Sequence, residues 1–334
     1  MLKDKKSSAK AAFRAALHLF PKKYSKVFCL YLAIFFSIYL GYCTSHPPLP
    51  SKKRPLILYS SEADDLKLVY LRAIENAKKS IFLVIYGLTD SDVKNALHYK
   101  INEGLDVNIF FDPGGSKDIE SCFPPGFAFP ILSTGLMHKK ILILDDETVF
   151  LGSANLTETS LRLHDNLVMG CLYPPLAHFL KYSQDTYFSF TLDGQEIEIF
   201  SLPEIQKRSL HKILHCIDNA QSSIQVSMFT FTHPDILASL LAAHSRGIDI
   251  KVCIDSYSAR GASKKVFEIL TAAAIDVSLG TRGKLLHNKW CIIDKKILIF
   301  GSTNWTSSAF SKNDDCIVIL NSINNNLINK IIDK

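Results

Sequence analysis

Two stretches of the chain repeat one pattern of apolar and polar positions. Residues 66–112 and 209–255 align at an offset of 143 without a gap. Each reads as a helical apolar stripe, a short apolar run, a second stripe closed by glycine (Gly104, Gly247), and a second apolar run ending in aspartate (Asp112, Asp255). Shorter extended runs, LILYSS at 56–61 and IEIFSL at 197–202, precede the two copies. Helices alternating with near-continuous apolar strands predict an α/β fold whose sheets are buried under helices on both faces. The copies then diverge. Residues 262–275 keep a helical stripe, whereas CFPPGFAFP at 122–130 holds three prolines and a glycine and excludes a regular helix.

Past this divergence the offset becomes 149, and LMHKKILILDDETVFLGSAN (136–155) coincides with LLHNKWCIIDKKILIFGSTN (285–304). Each is an apolar hairpin folded about Asp146 or Lys295, a register that sets Lys140 opposite Gly152 and Lys289 opposite Gly301. In a strand, residues two apart share a face, so His138 lies beside Lys140 and His287 beside Lys289. Ser153 and Asn155, or Ser302 and Asn304, return to the same open end. An imidazole, a fixed cation, a hydroxyl and an amide together suit a phosphate: donors and charge for the oxygens, and a histidine to attack phosphorus or carry a proton. Cleavage through a covalent intermediate needs a nucleophile and an acid on opposite sides of phosphorus. Two copies facing across a pseudo-twofold axis supply both, within one chain and without requiring a homo-oligomer.

Charge and hydropathy change the picture at the N-terminus. Eleven of the 38 basic residues and one of the 32 acidic residues precede residue 55, so the remainder of the chain carries about −4 despite an overall +6. A nucleic-acid binder normally shows net basic charge, which weighs against that partner without removing it. Residues 1–26 form a basic tail, residues 27–45 an apolar segment uncharged throughout, and residues 46–54 a linker. The apolar segment reads as an uncleaved membrane anchor, with a signal peptide cleaved near Ser45 and a buried core helix as alternatives. The basic tail ahead of it places the N-terminus in the cytoplasm and the body, anchored or exported, across the membrane. The eight cysteines form no metal-binding spacing, and Cys253, Cys291 and Cys316 sit in apolar runs as expected of buried thiols.

H-x-K-x4-D followed by G-S-x-N, present in full twice, resembles the signature of the phospholipase D superfamily. The residues are His138, Lys140, Asp145, Gly152, Ser153 and Asn155, then His287, Lys289, Asp294, Gly301, Ser302 and Asn304. The resemblance covers residues 55–334 and is to compact bacterial phospholipase D-like proteins, cardiolipin hydrolases and endonucleases. It implies two tandem α-β-α domains, 55–190 and 191–334, packed as a pseudo-twofold pair. It also implies phosphodiester hydrolysis through a phosphohistidine, with no metal or other cofactor. On this analogy His138 is the nucleophile and His287 the acid and base; Lys140, Lys289 and the motif aspartates Asp145 and Asp294 complete the catalytic set, the aspartates looking in the family more structural than catalytic, and Ser153, Asn155, Ser302 and Asn304 bind phosphate. Asp165 and Asp314, each ten residues after its motif asparagine, are the expected carboxylates behind the histidines.

The expected substrate is a phospholipid at a membrane, with nucleic acid second and cardiolipin synthase-type phosphatidyl transfer third. Three phenylalanines on the proline-rich loop, Phe123, Phe127 and Phe129, read either as acyl-chain contacts or as a cap on the core. His211 and His215 fall one helical turn apart, as zinc ligands do, but without further ligands nearby read as surface histidines. His164 could line the site.

Overall fold

The computed structural model describes residues 30–32, 34–35, 47–280 and 283–332. The basic tail and almost all of the expected anchor or signal segment lie outside these. Among the described residues, no helix is long and apolar enough to cross a membrane.

Residues 48–334 form one unit built on two mixed sheets. The first contains β1 (Leu56–Ser60), β2 (Ser80–Ile85), β3 (Asp106–Phe111), β4 (Ala128–Pro130), β5 (Lys140–Leu144), β6 (Thr148–Gly152) and β8 (Leu167–Leu172), in the order β1-β8-β6-β5-β2-β3-β4. β7 (His164–Asp165) lies outside it. The second contains β9 (Tyr187–Leu192), β10 (Gln195–Ser201), β11 (Ser223–Met228), β12 (Asp249–Ile254), β13 (Asp276–Leu279), β15 (Lys289–Ile293), β16 (Ile297–Gly301) and β17 (Cys316–Asn321). Its order, β13-β12-β11-β15-β16-β17-β10-β9, repeats the first with β9 added at one edge. Because β9 pairs along its length with β10, the second sheet begins at Tyr187 rather than at 191.

The repeated pattern folds as repeated local structure. Helix Leu66–Asn76 starts at Asp65, which accepts a hydrogen bond from Leu68 N, and helix Ser91–Asn102 starts at Asp90, which accepts from Asp92 N and Val93 N. Gly104 and Gly247 take φ of 83° and 85° just past the second helix of each copy, the left-handed turn that lets the chain double back into β3 or β12. β2 and β3 run parallel, as do β11 and β12, so their C-terminal ends lie on one edge of each sheet.

The layers differ from the expected helices on both faces. One face of each sheet is covered by its own helices, giving separate cores around Ile74, Leu83 and Leu97 and around Ile217, Val226 and Leu240. The inner faces pack on each other through Ile141, Ile143, Val149 and Leu151 of the first sheet and Ile197, Ile292, Leu298 and Val318 of the second. Helices Pro174–Tyr182 and Asn325–Ile332 complete this shared core. An apolar strand pattern requires cover on both faces, and a second sheet meets the requirement as well as a helix does.

Candidate active site

The hairpin register is as the spacing predicts. Ile141 pairs with Leu151, and Trp290 with Phe300, so each His-Lys pair sits at the open end beside the returning Gly-Ser. The glycines are needed there because the neighbouring strand passes too close for a side chain. A Cβ on Gly152 would lie 2.2 Å from Leu167 O, and one on Gly301 2.1 Å from Cys316 O.

Reciprocal backbone contacts between the halves bring the two sets together. Leu285 and Leu286, the strand β14 just ahead of His287, pair in parallel with β7 through His164 and Asp165. Symmetrically, Met137 bridges to Asp314, and His138 N donates to Asp314 O at 2.8 Å. The aspartates closing β3 and β12 anchor the same segments: Asp112 accepts from Met137 N at 2.9 Å and Asp255 from Leu286 N at 3.1 Å. Their other oxygens accept from the turns that follow, at Gly114 and Gly115 and at Tyr257 and Ser258.

Each histidine is oriented by a residue from the opposite half. Asp315 Oδ1 lies 2.9 Å from His138 Nδ1, and Asn166 Oδ1 lies 3.0 Å from His287 Nδ1. Asn166 Nδ2 donates to Ser160 O at 2.9 Å, which fixes the amide with its oxygen toward His287. Both imidazoles therefore carry hydrogen on Nδ1 and present Nε2 as the reactive atom. Lys140 and Lys289 donate to the carbonyls of His138 and His287 at 2.6 and 2.8 Å. Their ammonium groups stand 5.1 Å over the Tyr86 ring and 4.9 Å over the Phe229 ring, and the same rings flank His138 and His287.

Three expectations change. Asp165 and Asp314 do not orient the histidines; their neighbours Asn166 and Asp315 do. Asp165 and Asp314 are the members of the inter-half ladder, and adjacent residues of an extended chain point to opposite sides, so a one-residue shift exchanges their roles. Ser153 and Ser302 do not face a phosphate. Each donates to the residue behind a histidine, Ser153 to Asn166 Oδ1 at 2.9 Å and Ser302 to Asp315 Oδ1 at 2.5 Å. Each also accepts from the backbone of the next strand, at Leu167 N and Cys316 N.

Asp145 and Asp294 are not catalytic in position either. They sit at the far turn of each hairpin, at φ of 56° and 53°, where Asp145 accepts from Lys78, Lys79 and Ser80 N and Asp294 from Gln221, Ser222 and Ser223 N. Asp145→Ala is expected to lower the unfolding free energy by about 1–3 kcal/mol while leaving kcat of the folded protein near wild type. Denaturant titration alongside steady-state rates checks this. A kcat loss as large as that of a histidine variant would overturn the structural assignment.

Asn155 and Asn304 remain as candidate phosphate contacts only through Nδ2, the donor end of the amide; among the described residues their Oδ1 atoms, which can only accept, are buried without a hydrogen-bond partner. His164 lies with its ring 5.9 Å from that of His287 and does line the site. Phe123 is buried against His98 and Phe127 packs on the first core, whereas Phe129 stacks on Phe110 at the edge of the sheet. His211 and His215 are exposed, their rings 6.4 Å apart, and among the described residues no group of three metal-binding side chains occurs.

Four cationic or ionisable nitrogens in one buried cluster lose protons readily. Burial, then the Lys140 charge, pulls His138 below the usual histidine range, with Asp315 opposing. Burial and the charges of Lys289 and Lys140 push His287 well below that range. Burial brings Lys140 down to about 7 against the pull of Asp315 and Asp112, and burial together with Lys140 takes Lys289 well below its ordinary value. Burial raises Asp315, but His138, Lys140 and Ser302 more than offset it and keep the carboxyl ionised.

An anion entering this cluster favours the protonated lysines, so its binding must take up protons, and its affinity must fall as pH rises through about 7. Sulfate, which does not titrate across this range, provides the check. Calorimetry in two buffers of different ionisation enthalpy is expected to show net proton uptake near pH 7.5. Proton release, or pH-independent affinity, would mean that the lysines are already charged in the free protein.

The chain is similar to several known proteins in ways that fit this geometry. Residues 70–181 and 213–333 each match the family described as cardiolipin synthase, PLD-like domain. A phospholipase D of Rickettsia typhi is 28% identical over 158 residues, which is 42% of this chain and 77% of that protein. The mitochondrial cardiolipin hydrolase of Mus musculus is 33% identical over 121 residues, 36% of this chain and 53% of that one. The crystal structure of phosphatidylserine synthase from Haemophilus influenzae has the same fold across both halves, with a TM-score of 0.64 over 85% of this chain and 86% of that one at 12% identity. Two matched domains, each bringing one histidine-lysine pair to a shared centre, place the chain in the phospholipase D-like family.

Proposed function

We propose that the protein is a phosphodiesterase that removes phospholipid headgroups through a phosphohistidine intermediate. The observation that carries the reading is the crossed support of the histidines, a carboxylate behind His138 and an amide behind His287. His138 Nε2 attacks phosphorus, and the ring, still hydrogen-bonded through Nδ1–H to ionised Asp315, gains positive character that the carboxylate stabilises. As the bond from phosphorus to the headgroup oxygen breaks, His287 Nε2–H gives its proton to that oxygen. The neutral amide of Asn166 stabilises an imidazolium less than a carboxylate would, so His287 releases the proton more easily. Lys140 and Lys289 hold the charge of the non-bridging oxygens. Neutral His287 then takes a proton from water, the water oxygen bonds to phosphorus, and the bond to His138 Nε2 breaks.

Two further facts support a lipid as the substrate: the relatives named above as phospholipase D and cardiolipin hydrolase, and the charge of about −4 over residues 55–334. The uncharged segment at 27–43, behind a basic tail, supports a membrane-held or exported body on the far side of the bilayer from the N-terminus.

The test offers the full chain, in EDTA, vesicles of phosphatidylcholine, vesicles of cardiolipin and single-stranded DNA, with His138→Asn as control. Phosphatidic acid or phosphatidylglycerol released only by the unmutated protein supports the proposal. Shortened DNA with intact lipid replaces it with a nuclease, and activity that needs a divalent ion replaces the mechanism. Phospholipid products carrying an added alcohol, in place of water, would make the reaction a transfer.

A further inference from the structure

The two ladders that join the halves end in side chains that the reaction does not use. On the side of His138, Leu136 N is bound by the Asn313 side chain, and Gly135 sits against the Lys312 carbonyl. On the side of His287, Leu163 directly precedes His164 of β7, and Lys284 precedes Leu285 of β14. Leu136 is 43% exposed and Leu163 53%, while Lys284 and Lys312 are exposed. Leu132, in the loop that carries the chain from β4 to Leu136, is 88% exposed. Tyr257 is exposed two residues after Asp255, the anchor of Leu286, and Leu279 is exposed at the end of β13, next to Gly280, which abuts Leu286. Five large apolar side chains from four separate segments thus stand on the sheet edge that holds the histidines.

A single exposed leucine needs no explanation, but five around one opening do. The chemistry that matches apolar side chains interleaved with lysines is a bilayer surface with anionic headgroups: the apolar groups enter the acyl boundary and the ammonium groups meet phosphate. We propose that this rim is an interfacial docking surface, through Leu132, Leu136, Leu163, Tyr257 and Leu279 with Lys284 and Lys312, for an anionic lipid bilayer. This rests on the phospholipid reading and deepens it. The rim would hold the opening flush against the bilayer, so that a headgroup phosphate reaches His138 and His287 without its lipid leaving the membrane.

The experiment uses the full chain carrying Leu132→Asp and Leu163→Asp, two exposed positions outside the catalytic machinery. Turnover is measured on vesicles of phosphatidylglycerol and phosphatidylcholine, and on dihexanoyl phosphatidylglycerol dispersed as monomers. The expected result is a loss of about tenfold or more on vesicles, since two charges replace inserted side chains, with monomer turnover within twofold of wild type. Separately, Leu132→Trp is expected to be quenched by brominated acyl chains in anionic vesicles. Lys296→Trp, at the hairpin turn on the far edge of the second sheet, is expected not to be. Equal vesicle turnover by wild type and the double variant, or equal quenching at positions 132 and 296, would overturn the docking surface. If the wild type turns over neither lipid, the phospholipid reading fails, and the quenching experiment still decides the docking by itself.

Discussion

Replacing His138 with asparagine is expected to reduce kcat by at least about a thousandfold, and His287→Asn by at least about a hundredfold on a natural phosphodiester. The two losses differ in kind, and an aryl diester with a nitrophenolate leaving group separates them. Nitrophenolate leaves without a proton, so His287→Asn still completes the first displacement. It then lacks the base that activates water, and the product appears as a burst of one equivalent per protein followed by a slow phase. His138→Asn gives neither a burst nor a covalent adduct. The reverse pattern would exchange the roles of the two histidines. Retention of more than about a tenth of wild-type activity by either variant on the natural substrate would remove the two-histidine mechanism altogether.

The elements of this site were legible in the sequence to different depths. Paired strands obey a period of two, so the register of both hairpins, and with it the neighbourhood of His138 with Lys140 and His287 with Lys289, follows from spacing alone. The distant duplication likewise announces two equivalent units. Spacing does not show which of two adjacent polar residues faces inward when the segment pairs with another domain. Asn166 and Asp315 stood beside the expected Asp165 and Asp314, and their side was decided by the cross-half ladders at Leu286 and Met137. Positions 166 and 315 correspond under the same offset of 149 that relates the histidines, but so do 165 and 314, so the repeat by itself does not choose between the two pairs. Ser153 and Ser302 looked like phosphate donors because a hydroxyl at the open end of a hairpin has the reach. Their bonds to Leu167 and Cys316 N belong to a third strand that the hairpin pattern does not contain. The apolar strands fixed burial on both faces and left open whether a helix or a second sheet supplied it.

The site is symmetric in its histidines, lysines and serines and unsymmetric in what stands behind the imidazoles, which makes positions 315 and 166 the place to ask what divides the labour. Asp315→Asn is expected to lower kcat by about 10²–10⁴-fold, as an amide cannot stabilise the positive ring formed when His138 bonds to phosphorus. The direction of its pH effect is fixed by sign. Asp315 raises the His138 pKa in the wild type, so without it His138 stays neutral to lower pH, and the acid limb of kcat/KM moves down even as the plateau falls. Mere loss of structure would lower the plateau without moving the limb. Asn166→Asp acts oppositely on His287, keeping it protonated to higher pH and carrying the basic limb of kcat upward. With both substitutions together the carboxylate stands behind His287 and the amide behind His138, and covalent phosphate trapped at low pH is expected on the peptide containing His287. Label that remains on the His138 peptide in the exchanged variant would show that the supporting residues do not assign the roles, and that the Tyr86 and Phe229 rings, which with His164 are further differences between the halves, are the next pair to exchange.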